Sequence, residues 1–364
     1  MGNDKAKELI RKYLEGTATP EEEALLETWY MEAANNAPEM PGISDYPEHH
    51  PLPTIKPAIR LWPRVAVAAS ILIVLASASY FVLHKKPGRN IVRDQPPPAQ
   101  KDILPAATKA MLTLVDGKTV VLDSARNGTV AQQGKIIARS VDGQLNYNGD
   151  GDVSGMNTLT TLPGEQYSVV LPDGTKVWLN TASSISYPVT FAGKERRVTV
   201  TGEAYFEIVH NARQPFRVAV KDQLVEDIGT HLNINAYDDE PVLQTTLLEG
   251  SVRVTKGAAS AILKPGQQAT IRPDNSSFDI KLIDTDEAMA WKNGYFYFDG
   301  ADIQTVMRQL ARWYDVQIVY KGDLPKRKFK GKVYRNINAS EALKILSYFG
   351  AHFVIDGKTI TVSA

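Results

Sequence analysis

The sequence predicts a multidomain chain: a short α-helical N-terminal segment, one transmembrane helix, an all-β domain and a C-terminal α+β module. Three observations lead there. Val65 to Leu83, VAVAASILIVLASASYFVL, runs for 19 residues without a charge. From 106 to 284, short alternating runs recur between turn residues. After residue 294 the apolar spacing becomes helical twice, each time between strand-like runs.

The helical segment is 1–34. Leu9, Ile10, Tyr13 and Leu14 share one face, and Leu25, Leu26, Trp29 and Tyr30 repeat that spacing. Thr19 stands at the second N-cap, Pro20 at the first helical position and Glu22 where a capping box needs it. Two helices this short cannot become stable by burying their stripes against each other alone. The stripes need a partner, or a membrane or protein surface to lie on. Residues 35–60 form a linker carrying Pro38, Pro41, Pro47, Pro51, Pro53 and Pro57. A second linker, 85–105, carries Pro87, Pro96, Pro97, Pro98 and Pro105. Such spacing favours extended, semi-rigid chain.

Between the linkers lies the predicted span, 61–84. At 1.5 Å per residue its uncharged stretch covers roughly 28 Å, about one hydrocarbon core. Trp62 and Tyr80 sit near the ends, where amphipathic rings favour the interface. Lys56, Arg60 and Arg64 lie on the N-terminal side; Lys85, Lys86, Arg89, Arg93 and Lys101 lie on the other. Taken alone, that count favours an N-out orientation.

The all-β domain, 106–284, reads as a sandwich or a solenoid-like coil. Strand signals include Tyr167–Leu171, Lys176–Asn180, Arg197–Val200, Phe216–Val220, Val242–Leu247 and Ser251–Thr255. One phrase occurs twice: LVDGKTVVLDSA from Leu114 and LPDGTKVWLNTA from Leu171. The Asp-Gly turn and the apolar alternation are kept, while Trp178 replaces Val121 and Asn180 replaces Asp123. What is kept is what a hairpin needs, so the phrase builds the fold.

The C-terminal module, 290–364, reads as two βαβ-like halves, βαβ then βαββ. Strand Tyr295–Phe298 precedes a helix capped by Asp302 and strand Val316–Tyr320. Strand Phe329–Val333 then precedes a helix capped by Asn338 and a closing hairpin across Asp356-Gly357.

Composition narrows the chemistry. There is no cysteine, which excludes disulfides and thiolate metal sites. Lysine and arginine total 41, aspartate and glutamate 41, so no whole-chain argument for nucleic acid applies. Charge is uneven: residues 1–60 hold eleven acids and six bases, residues 291–364 twelve bases and six acids. That asymmetry suggests different partners at the two ends. Asp173, Glu195, Glu203, Glu207, Asp227 and Glu249 could be imagined as a glycosidase pair, but acids in a β-domain usually face solvent. Neither histidine spacing nor a glycine-rich loop points to a metal or a cofactor. Lys328, Lys330 and Lys332 alternate with apolar or small residues, as lysines do on a protected edge strand. The functional alternative is an acidic partner.

Several stretches together resemble the FecR family of transmembrane anti-sigma factors, in the form with a C-terminal domain related to the N-terminal domains of secretins and TonB-dependent receptors. YLEGTATPEEEALLETWY (Tyr13 to Tyr30) resembles the sigma-binding segment. Leu112 to Gly134, Leu162 to Pro188 and VTGEAYFEIVHNARQPFRV (Val200 to Val218) resemble the periplasmic domain. The last 70 residues resemble the accompanying short domain.

The resemblance implies a single-pass inner-membrane protein with a cytoplasmic N-terminus and periplasmic C-terminal domains. This opposes the charge count, because a sigma-binding segment has its target only in the cytoplasm. It implies an extracytoplasmic-function sigma factor held on Leu9, Ile10, Tyr13, Leu14, Leu25, Leu26, Trp29 and Tyr30. Its other partners would be the signalling domain of a TonB-dependent outer-membrane transporter, met near Lys328, Lys330 and Lys332, and a membrane-embedded protease. No cofactor, no metal, no direct nucleic-acid contact and no turnover enzyme are expected. DIGTHLNINAY (Asp227 to Tyr237) resembles the place where some members cleave themselves at a Gly-Thr bond, here Gly229-Thr230. The other reading of that pair is β geometry alone. An alternative for the whole chain is a membrane-anchored, periplasmic glycan-binding or cell-wall-associated β-protein, its exposed aromatics being Trp178 and Tyr187.

Overall fold

The computed structural model describes residues 102–364 except 150, 152, 228, 273, 276 and 325. The predicted helical segment, first linker and span lie outside the described residues. Among those described, no helix is long and apolar enough to cross a membrane.

The chain enters through β1 (Ala107–Thr113) and β2 (Thr119–Asp123), then a meander of β3 (Gly128–Gln133), β4 (Ile136–Val141) and β5 (Gln144–Asn148). Next come β6 (Met156–Thr161), β7 (Glu165–Val170), β8 (Lys176–Leu179) and β9 (Ser183–Pro188), which lead to the 12-residue β10 (Arg196–Glu207). Four hairpins finish the domain: β11 (Phe216–Val220) with β12 (Gln223–Asp227), β13 (His231–Ala236) with β14 (Leu243–Glu249), β15 (Val252–Lys256) with β16 (Ala259–Leu263), and β17 (Gln267–Ile271) with β18 (Asp279–Leu282).

These strands form two sheets. One runs β2-β1-β6-β9-β10-β11-β12-β15-β16. The other runs β3-β4-β5-β7-β8-β10-β13-β14-β17-β18. The four last hairpins alternate between the sheets, so the domain combines both expectations: a sandwich whose chain coils from layer to layer. A single core joins the layers, with Leu112, Leu159, Ile185 and Val200 from the first sheet and Val169, Val177, Phe206 and Ile234 from the second. Each fully buried side chain of this kind stabilises by about 1.5–3 kcal/mol.

Strand β10 belongs to both layers. Thr199–Thr201 pair with β9, and Gly202–Glu207 pair with β13. The crossing is at Gly202, where φ is +75° and an added Cβ would lie 2.4 Å from Ser183 Oγ and 2.7 Å from the Ala182 carbonyl. Only glycine passes there.

The repeated phrase gives the same hairpin twice. In β1–β2 the Leu114 N–H donates to Lys118 O and Gly117 has φ +80°; in β7–β8 Leu171 N–H donates to Thr175 O and Gly174 has φ +86°. The aspartate before each glycine accepts the N–H two residues on, at 3.0 Å.

The two aromatics offered for glycan binding are not exposed. Tyr187 points inward on β9, fully buried, its hydroxyl 2.7 Å from that of Tyr147. Trp178 is half-buried under the Lys292 ammonium, 4.4 Å from its ring. The period-2 alternation of β9 places residue 187 on the same side as Ile185, which accounts for the burial.

A short helix, α1 (Thr285–Met289), leads to the C-terminal module: β19 (Tyr295–Ala301), α2 (Ile303–Tyr314), β20 (Gln317–Tyr320), β21 (Phe329–Tyr334), α3 (Ala339–Ser347), β22 (His352–Asp356) and β23 (Thr359–Ser363). Asp302 caps α2, accepting from Thr305 N–H at 2.8 Å. Elements occur as expected and the closing hairpin of β22 with β23 forms, but β19 and β20 of the first half each pair with a strand of the second half and not with each other. β19 pairs with β21, while β20 pairs parallel with β23, and β23 pairs with β22. This exchange lets both helices share one core, in which Leu310 and Trp313 of α2 meet Leu343 and Leu346 of α3.

Candidate functional site

The Gly229-Thr230 bond lies where the chain leaves β12 in one sheet for β13 in the other. Two constraints make this turn tight. Gly229 has φ +98°, and a Cβ there would be 2.9 Å from His210 Nδ1. Gly250 has φ +86°, and a Cβ there would be 2.0 Å from the Gly229 carbonyl oxygen. The Gly229 carbonyl therefore sits against the bare Cα of a second glycine.

Thr230 is buried, and its hydroxyl donates to Asp227 Oδ1. The Gly229 N–H donates to the same oxygen at 2.7 Å, and Thr230 O accepts from Ile208 N–H at 3.1 Å. Burial pushes the Asp227 carboxyl up, with the Thr230 and Gly229 hydrogen bonds opposing. A raised carboxyl touching a hydroxyl can take that hydroxyl's proton. The sequence pointed to Gly229 and Thr230; Asp227 and Gly250 complete the turn.

The remaining acids are held in structural pairs. Asp173 bridges the buried Arg196 at 2.6 Å, Glu195 meets Arg197 at 2.7 Å, Glu207 meets Lys176 at 3.5 Å and Glu249 meets His231 at 3.2 Å. Each of these four is thus matched to a basic side chain.

The three lysines lie on or beside β21, whose one strand partner among the described residues is β19. Each meets an aspartate: Lys328–Asp302 at 3.9 Å, Lys330–Asp299 at 2.9 Å and Lys332–Asp286 at 3.5 Å. All three are exposed, so such pairs stabilise by at most about 1 kcal/mol and are easily exchanged. Leu9, Ile10, Tyr13, Leu14, Leu25, Leu26, Trp29 and Tyr30 lie outside the described residues.

Two attachments were not legible in sequence. First, the end of the predicted 85–105 linker is docked on the C-terminal module. Asp102 accepts from Ser340 N–H at 3.2 Å and from Ser340 Oγ at 2.5 Å, at the N-terminus of α3. Ile103 O accepts from Ala339 N–H at 3.0 Å, and its side chain packs on the module's core. Second, α2 is clamped by the turn after β13. Arg312 holds both oxygens of Asp239 at 2.7 Å and Glu240 Oε1 at 2.7 Å, while Arg308 holds Glu240 Oε2 at 2.8 Å.

Between β-domain and module lies a buried polar network. Glu203 accepts from the amides of Asn180, Asn233 and Asn235 at 2.7, 3.1 and 3.3 Å. Arg335 donates to Asn180 Oδ1 at 2.9 Å and lies over the rings of Phe296 and Trp313. Trp291 Nε1 donates to Asn233 Oδ1 at 3.0 Å. Burial pushes Glu203 up and pulls Arg335 down to about 10.

Residues 157–253 match the family described as FecR protein, and residues 295–362 match the family described as FecR, C-terminal. Two crystal structures, at 1.65 and 2.50 Å resolution, each of a candidate anti-sigma factor from Parabacteroides distasonis, are similar with 26% identity and a TM-score of 0.53. The matches cover 56% and 57% of this chain and 97% and 98% of those chains. No curated protein matches.

Proposed function

We infer the function from the premise that this chain is a FecR-family protein, through its residues 157–253 and 295–362. An anti-sigma role follows from that family and from the likeness to candidate anti-sigma factors.

In detail, the chain is a transmembrane relay. Val65–Leu83 anchors it in the inner membrane. The N-terminal helices lay Leu9, Ile10, Tyr13, Leu14, Leu25, Leu26, Trp29 and Tyr30 into grooves of an extracytoplasmic-function sigma factor, as an amphipathic helix does. The neighbouring glutamates set encounter rate and partner choice more than affinity. On the far side, the C-terminal module meets the signalling domain of a TonB-dependent transporter, with the exchangeable lysines of β21 at the contact. A membrane-embedded protease then frees the sigma factor.

The observation that best supports a relay is the docking of Asp102 and Ile103 at the start of α3. The module that receives a signal also holds the end of the tether leading to the span. Displacing the module would pull on, or let go of, that tether.

Self-cleavage at Gly229-Thr230 belongs to this reading as a maturation step. The Thr230 hydroxyl gives its proton to Asp227 and bonds to the Gly229 carbonyl carbon. The Gly229–Thr230 C–N bond breaks, its nitrogen takes up the proton, and water hydrolyses the resulting ester.

The test is co-purification of the sigma factor with the detergent-solubilised full chain. Wild type retains it, and Leu26→Glu or Trp29→Glu loses it. Equal retention by both variants would remove the sigma-holding assignment.

A further inference from the structure

His210, just after β10, stands over the Gly229-Thr230 turn. A Cβ added to Gly229 would lie 2.9 Å from His210 Nδ1, 3.5 Å from its Cγ and 3.6 Å from its Cβ. The imidazole thus lies against the bare Gly229 Cα with Nδ1 leading. Covalent geometry puts that added Cβ about 2.5 Å from the Gly229 carbonyl carbon. His210 Nδ1 is therefore within about 5.4 Å of the carbonyl carbon, a gap that one water bridges.

The backbone on both sides of His210 is fixed. Ile208 N–H donates to Thr230 O at 3.1 Å, which ties this segment to the turn itself. Val209 N–H donates to Thr175 Oγ1 at 3.3 Å, and Val209 O accepts from Nη1 of the buried Arg196 at 2.8 Å. On the other side, Asn211 Oδ1 accepts from Arg213 N–H at 3.1 Å, and Asn211 O accepts from Gln214 N–H at 3.2 Å. Among the described residues the ring of His210 has no hydrogen-bond partner. Asp227 and Thr230 are buried, Gly229 is half-buried and His210 is exposed. Of these side chains, that of His210 meets both the bond and solvent.

We propose that His210 is the general base of the second step of self-cleavage, the hydrolysis of the ester between Gly229 and Thr230. The proposal rests on the self-cleavage reading of this turn. Asp227 serves the first step, in which Thr230 Oγ1 bonds to the Gly229 carbonyl carbon and the nitrogen leaves with the proton. In the second step a water between His210 and the ester gives a proton to Nδ1, and its oxygen bonds to the Gly229 carbonyl carbon. The bond from that carbon to Thr230 Oγ1 breaks, and the imidazolium returns the proton to Oγ1. One product ends in the Gly229 carboxyl group, and the other begins with the free amine of Thr230. Neutral water attacks an ester slowly, and a positioned base is worth about 10²–10⁴-fold.

The experiment follows the full chain, made by cell-free synthesis into detergent, with fragment masses read over time. Wild type divides at 229/230. His210→Ala and His210→Gln divide about 10²-fold more slowly, and the chain accumulates as the ester. Neutral hydroxylamine splits that ester and leaves a Gly229 hydroxamate. Its mass sets this cut apart from any at the Asn-Gly bonds after Asn127, Asn148 and Asn293. Added imidazole restores division of His210→Ala, because the site faces solvent. Division of both variants at the wild-type rate would overturn the role of His210 while self-cleavage stands. So would slowing without a hydroxylamine-sensitive ester or without rescue by imidazole, which would make His210 a packing residue of the turn. Wild type that stays in one piece, with or without hydroxylamine, would overturn the self-cleavage reading and this proposal with it.

Discussion

At Thr230 the difference between a structural and a reactive residue comes down to one hydroxyl. Its methyl and backbone serve the turn, and the hydroxyl contacts Asp227. Thr230→Ala removes the nucleophile while leaving backbone and Cβ in place. If the turn is reactive, denatured wild-type protein shows two fragments divided at 229/230, and Thr230→Ala runs as one intact chain. Asp227→Asn keeps an acceptor for the hydroxyl but is a far poorer base, so fragments accumulate more slowly by about 10²-fold or more. One intact band for wild type would leave the pair with its β-geometry role. Gly229 and Thr230 were legible because they adjoin in sequence. Gly250 was not, since its contact with the Gly229 carbonyl arises only when β14 folds back along β13.

Among the elements, α3 shows how far local reading goes. Asn338 precedes the helix with extended backbone, and Glu341 accepts from Asn338 N–H at 3.3 Å, a pattern written within four residues. The second cap, Asp102, stands 238 residues from Ser340. Losing a side-chain cap costs about 0.5–2 kcal/mol. Asp102→Ala should therefore speed amide exchange in the first turn of α3. It should also expose the chain before β1 to added protease, because Ile103 loses its neighbouring anchor. Unchanged exchange and unchanged protease resistance would mean that the Ile103 packing holds the tether without the cap. The same division runs through the sheets. Hairpins such as β1–β2 and β7–β8 are local and were read from their Asp-Gly turns. The pairing of β19 with β21 and of β20 with β23 spans whole helices and answers to the shared core, which no single stretch encodes.

Over the described molecule, β-domain and module meet through ionisable groups beside a small apolar cluster of Tyr205, Met289 and Trp291, so their union should respond to pH. Glu203 is central: burial raises it above its ordinary value of 4.5, against the amides of Asn180 and Asn233 and the charges of Arg335 and Arg312. A carboxyl raised in the folded state contributes stability that is complete below its unfolded value and lost as pH climbs through its folded value. Wild type therefore gives up part of its stability as pH rises from 4.5 through the folded value. Glu203→Gln stays neutral throughout and keeps the volume, at a constant cost from turning an amide N–H toward other donors. The melting temperature of the variant minus that of wild type should thus grow more positive as pH rises from below 4.5 toward neutrality, measured at fixed ionic strength. A difference that falls over that range would mean the two arginines outweigh burial, and that the charged carboxylate itself holds the module to the sheet.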